Sequence, residues 1–364
     1  YTVEGFSAVT YKGNDVSGHY IGGTGFQPDF TWIANYATVH WKMLHDAVRG
    51  VGKALRSDDT DVEANNISVF KAFLSDGFRL GPPGNDYNAD TNNYVAWSWL
   101  AGTAPTADNS AGAGATPTAG SVKIDGSNLG SALAGSIAAT RLSANTTSGF
   151  SIVKYEGTGS NATVAHGLGV APDLIIVKNL DSTRSWLVYQ SAEGISGGSD
   201  PETDYMFLDT DGALTDDNSA WNDTAPTSTV FSVGTSVASN EDGDDLVAYC
   251  WANVEGYLKV GSYEGNNVVN GPFVYTGFKP AFIMIKTTTS YSWPIFDNKR
   301  SSYNIQRSML QADRTDSHVT TSTADIDILS NGFKIRYSPN VTNGSNTYTY
   351  IAFAESPFKY SNAR

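Results

Sequence analysis

A single cysteine, Cys250, stands in the 364 residues. That excludes a disulfide-stapled scaffold, and its setting in the run LVAYCW reads as a buried, unreactive thiol. No apolar stretch approaches the roughly 18–20 residues that a membrane-spanning helix needs, so no membrane span is expected. A charged-then-apolar leader is missing too. The chain opens on Tyr1 rather than Met, which reads as a processed product or a piece of something longer. Charge is scarce, at 16% of residues, and leans acidic: 37 Asp+Glu against 23 Lys+Arg, a formal net charge of −14. A nucleic-acid binder needs the opposite excess on one face, so no nucleic acid is expected as partner. The Glu/Lys/Ala/Leu-rich composition of helical bundles is equally missing.

What the chain has instead is glycine, 36 residues of it, with aromatics at 12%. Gly-rich turns between short β-branched and aromatic runs indicate an all-β protein. One stretch occurs three times: Tyr11 to Ala34, Tyr155 to Lys178 and Tyr263 to Lys286. In each copy Tyr and Gly stand two apart and a second Gly lies 14 residues after the Tyr. A Pro three residues further on (Pro28, Pro172, Pro280) opens an apolar run. A gapless frame held three times is an internal repeat.

The repeat divides the chain into residues 1–101, 149–254 and 255–364, with an Ala/Gly/Ser/Thr-rich linker or extended arm at 102–148 that lies against a neighbour. Units of about 100 residues bury roughly 65% of their unfolded surface, enough for independent cores. The runs VAWSW (95–99), VAYCW (247–251) and IAFAE (351–355) read as matching closing strands. The first, with large residues at alternate positions, reads as a half-buried strand. The segment 45–55 reads as a short helix or coil because Gly50 and Gly52 interrupt it. The turn SDGF (75–78) reappears as SNGF (330–333), while the second copy has TSTVF (227–231). Each repeat thus predicts a β-sandwich of jelly-roll or lectin-like type, two antiparallel sheets about 10 Å apart.

Catalytic signatures do not emerge. Of the five histidines, His40 and His45 stand at a spacing that suits neither helix nor strand, and His166 occupies a place held by Gly22 and Val274 in the other copies, so it reads as a turn residue. The string Asp200-Pro201-Glu202-Thr203-Asp204 is the nearest approach to the paired carboxylates of a lectin-like glycosidase, and its proline makes it a loop. The Asp209, Asp211, Asp216, Asp217 cluster offers the oxygen ligands that calcium takes, without an EF-hand ladder. Trp41, Trp186 and Trp293 fall 13 or 14 residues after the frame prolines, in position either to stack on sugar rings or to fill cores. Asp46/Arg49 and Asp297/Arg300 recur after the tryptophan and read as loop-pinning salt bridges.

The segments ANTTSGFSIVKYEG (144–157), HGLGVAPDLIIVK (166–178), AWNDTAPTSTVFSVG (220–234), VAYCWANVEGYLKVGSYEG (247–265), NGPFVYTGFKPAFIMIK (270–286), DIDILSNGFKI (325–335) and YIAFAESPFKY (350–360), with PDFTWI (28–33) and SDGFRLG (75–81), resemble a tandem repeat family of uncharacterised tailed-phage and marine-virus structural proteins. The resemblance spans nearly everything outside the linker. It implies a non-enzymatic phage virion protein at the virion surface or outside the cell: a tail fibre, spike or surface decoration that presents loops to a host-surface glycan. It implies other virion proteins as partners and, by analogy, a homo-oligomer with a trimer the leading expectation. A secreted bacterial adhesin or carbohydrate-binding module is the alternative expectation, and a polysaccharide-degrading enzyme the third.

Overall fold

The frame explains itself once its strands pair. A computed structural model describes residues 5–192, 200–320, 324–337 and 339–354. The frame tyrosines sit on strands Phe6–Lys12, Phe150–Glu156 and Leu258–Glu264. Each pairs antiparallel with a closing strand: Asn93–Trp99, Asp245–Trp251 and Thr347–Ala354. The closing strand's other edge takes the strand opened by the frame proline: Phe30–Asn35, Leu174–Asn179 and Pro280–Thr287. A fourth strand follows in each copy: Lys42–Asp46, Leu187–Gln190 and Pro294–Asp297. The protein is therefore all-β, with large sheets of six, nine and five strands.

Small sheets face the large ones. Tyr20–Gly22, Gly77–Leu80 and Phe70–Leu74 make one of three strands, and Phe273–Tyr275, Gly332–Ile335 and Ile326–Leu329 another. In the second copy only Ala162–Ala165 and Val230–Val233 pair. The copy that lacks the SDGF/SNGF turn is the one that lacks the hairpin strand.

The repeated residues have repeated reasons. Tyr11, Tyr155 and Tyr263 donate their hydroxyls to the carbonyls of Tyr87, Ser239 and Thr342 at 2.9, 2.7 and 2.7 Å. A Cβ on Gly13, Gly157 or Gly265 would stand 2.0, 2.1 or 1.9 Å from a carbonyl oxygen, so the position two after the tyrosine admits no side chain. Gly25, Gly169 and Gly277, 14 after the tyrosine, adopt φ of +82°, +75° and +87°, the left-handed region that glycine enters freely.

Strand register corrects the closing-strand match. Tyr11, Tyr155 and Tyr263 pair with Tyr94, Leu246 and Tyr348, which puts Trp99, Trp251 and Phe353 on one level. The third-copy equivalent of VAWSW is therefore 349–353, two residues earlier than the sequence suggested; Glu355 and the rest of YIAFAESPFKY lie outside the described residues.

The large sheets are buried on both faces, which corrects the half-buried reading of 95–99. Val95, Trp97 and Trp99 enter a core shared by all three copies, whereas Tyr94 and Ala96 enter the core under the first small sheet. The second copy divides Val247, Tyr249 and Trp251 from Leu246, Ala248 and Cys250 in the same way. The indoles of Trp97, Trp99 and Trp251 and the ring of Tyr249 all lie on the face that meets the neighbouring copies. At the centre Trp99 meets Trp251, Phe282 and Phe353 at centroid separations of 6.2, 6.0 and 5.4 Å. Beside this shared core, the first and second copies keep separate cores under their small sheets.

Two further readings change. Residues 45–55 form a hairpin, in which strand Lys42–Asp46 turns at Gly50 and Gly52 (φ +111° and +84°) into strand Lys53–Arg56. The stretch 102–148 supplies strands Val122–Ile124, Ser127–Asn128 and Arg141–Asn145 to the second copy's sheet. It does lie against a neighbour, as expected, but through pairing and burial: Val122, Leu133, Ile137, Ala139, Leu142 and Ala144 all enter the second copy's core. Averaged composition hid these few well-placed apolar residues.

Candidate functional site

The three copies meet at three seams, and the same set of bonds recurs at each. The carbonyl eight residues after the frame proline accepts from the backbone of the preceding copy: Leu180 from Glu63 at 2.9 Å, Thr288 from Leu214 at 3.0 Å, and Tyr36 from His318 at 3.3 Å. The last of these runs from the third copy to the first, so the chain closes on itself.

At the first–second seam, Trp186 Nε1 donates to the carbonyls of Arg56 and Asp59 at 2.8 and 3.2 Å, and Lys178 Nζ to Thr60 O at 3.1 Å. At the second–third seam, Trp293 Nε1 donates to Phe207 O at 2.9 Å and Lys286 Nζ to Asp211 O at 3.2 Å. At the third–first seam, Lys42 Nζ donates to Arg314 O, and Ser57 Oγ to Ala312 O at 2.7 Å. Register explains why no tryptophan appears there. Trp186 and Trp293 each stand four residues before the end-of-strand residues Gln190 and Asp297, and the first-copy residue four before Asp46 is Lys42. Lys42 pairs with Ala34, which occupies the frame position held by Lys178 and Lys286 in the other copies. The lysine has moved to the adjacent strand.

These lysines are buried, and burial pushes each ammonium down to a pKa of about 8, against the pull of nearby aspartates. A carboxylate braces each position: Asp58 accepts the Lys42 N–H at 3.2 Å, Asp209 that of Trp186 at 2.7 Å, and Asp313 that of Trp293 at 3.0 Å. Burial raises Asp58 to about 6 and Asp209 likewise above the ordinary value.

The loop-pinning pairs belong to the seams as well. Asp46 Oδ1 accepts the N–H groups of Val48 and Arg49 at 3.0 and 2.7 Å while Oδ2 takes Arg49 Nε. Asp297 repeats this with Lys299 and Arg300. Tyr249 of the second copy donates to Asp46 at 2.7 Å, and Trp97 of the first copy to Asp297 at 3.3 Å. In the second copy Gln190 stands at this level and accepts from Thr349 of the third at 3.1 Å.

The tryptophan trio therefore separates. Trp186 and Trp293 are fully packed seam residues with no face open to a sugar. Trp41, 39% exposed, has the Arg56 guanidinium 3.8 Å above its ring. The calcium candidates separate too. Asp209 braces Trp186, Asp211 lies 3.7 Å from Arg314, Asp216 pairs in a strand with Asp204, and Asp217 caps the short helix Asn218–Trp221 through Ser219 N at 2.8 Å. Among the described residues no group of three or more His, Cys, Asp or Glu comes together to hold a metal ion. Pro201–Thr203 is a short 3-10 turn leading into strand Asp204–Phe207, so its carboxylates do not share a strand face. His166 makes the bonds of a turn: Nδ1 accepts the Leu168 N–H at 3.2 Å and Nε2 faces Thr227 O at 3.1 Å, with burial pushing its pKa down to about 4.

One repeated set escaped the sequence reading. Asn88, Asn240 and Asn343 are buried and play one part. Each Oδ1 accepts the N–H of the residue after the frame glycine, from Asn14, Thr158 and Asn266 at 3.2, 2.8 and 2.9 Å. Each Nδ2 donates two residues further on, to the carbonyls of Val16, Ser160 and Val268 at 3.0, 2.6 and 2.8 Å. Their place a few residues before each closing strand was the available signal.

The third copy also departs from the first in one loop. Leu44 pairs with Leu55, six residues after Arg49; its counterpart Ile295 pairs with Leu310, ten after Arg300. The longer loop walls an open cleft of about 400 Å³ lined by Lys279, Asn298, Lys299, Ser302, Tyr303 and Gln306, among others. A second cleft of about 430 Å³ lies beside Tyr275, Thr276 and Gly277, just before Lys279.

Three frame copies, a core to which all three contribute and a recurring set of seam bonds belong to an all-β protein. Residues 2–357 match the family described as Domain of unknown function (DUF7483), and the chain belongs to that family. The match takes in all three copies at once. No curated protein matches the chain.

Proposed function

We propose that this is a structural, adhesive protein of a phage particle, a fibre, spike or surface-decoration component whose polar loops engage a host-surface glycan. The observation that carries the reading is how the buried polar groups are used. The seam lysines, aspartates, tryptophans and asparagines bond to backbone of the same or the next copy, which suits a rigid platform. The groups that line an open cleft include a tyrosine, two lysines and several polar side chains, which suit recognition. The homo-oligomer that analogy suggests, with a trimer leading, belongs to the same reading. No helix among the described residues is long and apolar enough to cross a membrane.

Light scattering on the purified chain, with imaging of the particle that contains it, tests the reading. A stable trimer in solution, or regular copies on the particle surface, supports it. A monomer that binds glycans but is found on no particle would favour a secreted adhesin or carbohydrate-binding module.

A further inference from the structure

We propose that the cleft walled by the long loop of the third copy is a saccharide subsite for an acidic glycan, with Tyr303 stacking on a pyranose face and Lys299 meeting the ligand's anionic group. This deepens the adhesive reading and rests on it.

Three observations carry it. Tyr303 is 82% exposed, the most exposed of the large hydrophobic and aromatic side chains. Its backbone is nonetheless held, its carbonyl accepting from Gln306 Nε2 at 3.2 Å and from Ser301 Oγ at 3.4 Å. A ring kept in water on a pinned backbone loses little conformational freedom when a flat apolar sugar face covers it. Asn298, on the same cleft, has a buried Oδ1 that accepts no hydrogen bond. A buried amide oxygen without a donor is costly, and a ligand hydroxyl would supply one.

The third observation is charge. On a chain of net charge −14, Lys299 is anchored by its backbone N–H, at 3.0 Å to Asp297, and its exposed ammonium enters no ion pair among the described residues. An exposed cation on an anionic body selects for carboxylate- or sulfate-bearing sugars over neutral ones of the same shape. The first copy, with the short Gly50/Gly52 turn at this level, has no equivalent wall.

The test is a glycan array carrying uronate, sialate and sulfated saccharides beside neutral ones, probed with the whole labelled chain and with Tyr303→Ala, Lys299→Ala and Lys299→Arg. Both residues are exposed, so unchanged thermal unfolding certifies the variants. The expected result is binding confined to acidic saccharides, weakened at least tenfold by Tyr303→Ala and by Lys299→Ala and largely kept by Lys299→Arg. Acidic or neutral hits that the variants leave unchanged would overturn this site while the adhesive reading stands. A wild-type chain that binds nothing on the array would overturn both.

Discussion

The seams on either side of the second copy and the seam that closes the cycle solve one packing problem in two ways. At the first two, a frame lysine and a tryptophan from the adjacent strand share the level, Lys178 with Trp186 and Lys286 with Trp293. At the third, Ala34 and Lys42 stand there, and the lysine comes from the other strand. The ammonium still reaches a carbonyl of the preceding copy, and Asp58 still braces the strand as Asp209 and Asp313 do. What the molecule keeps is a cation at a place in space, and the column of the sequence that supplies it is free to change. The same economy holds at the next level, where Tyr249, Trp97 and Thr349 each reach across to a different acceptor.

The sharpest way to break this comparison is to truncate the tryptophans. Trp186→Ala and Trp293→Ala should each cost about 3–5 kcal/mol, through the cavity and the lost indole bond. Denaturant unfolding that finds either variant within about 1 kcal/mol of wild type would mean that the seams do not hold the copies together.

The lysines give a second handle. Each binds its proton less tightly in the folded chain, with a pKa of about 8 against an ordinary 10.5. Between those values the unfolded chain holds more protons, so stability should rise with pH from about 8 toward 10. Above 10 the trend should reverse, because burial raises Tyr11, Tyr155, Tyr249 and Tyr263 well above their ordinary value of 10.0. Lys42→Met, Lys178→Met and Lys286→Met should each remove a similar share of the rise, on the order of 1–3 kcal/mol. A profile that Lys42→Met leaves untouched would show that the third seam is not equivalent to the others.

Smaller effects are expected at the asparagines. Asn88→Ala, Asn240→Ala and Asn343→Ala each strand buried backbone groups, at about 1–3 kcal/mol apiece by chemical denaturation. Unequal costs would rank the copies by rigidity. Trp41→Ala should change stability by less than about 1 kcal/mol, since its ring is half in water and held only by Arg56. A cost as large as that of Trp186 would restore it to the trio.

How much of this could be read beforehand follows from which residues repeat in sequence and which repeat only in space. The frame was legible because Gly13, Gly157 and Gly265 sit under a carbonyl and admit no substitute, so the letters persist. The missing hairpin of the second copy was legible in TSTVF for the same reason. The Asp46/Arg49 and Asp297/Arg300 pairs were read as structural, and their burial agrees. The tryptophan match failed because spacing was counted from the prolines, whereas register counts from the strand partner and puts Lys42 opposite Ala34. The shared core was out of reach of periodicity, since an alternation of large and small residues looks the same whether the large face meets its own sheet or a neighbouring copy. Tyr303 carried no signal, lying in a loop that is four residues shorter in the first copy.

One arrangement near Tyr257 bears on how the protein carries load. Gly5, where an added Cβ would stand 2.5 Å from the Tyr257 hydroxyl, and Ala354, whose N–H donates to the Tyr257 carbonyl at 2.8 Å, lie on the same tyrosine. Phe6 and Phe353 stack between them, centroids 5.0 Å apart. Force drawing Gly5 and Ala354 apart would therefore act across the third–first seam, where no peptide bond joins the two copies. The first contacts to yield would be those of Lys42, Ser57 and Trp97, with the core under the first small sheet still packed behind them.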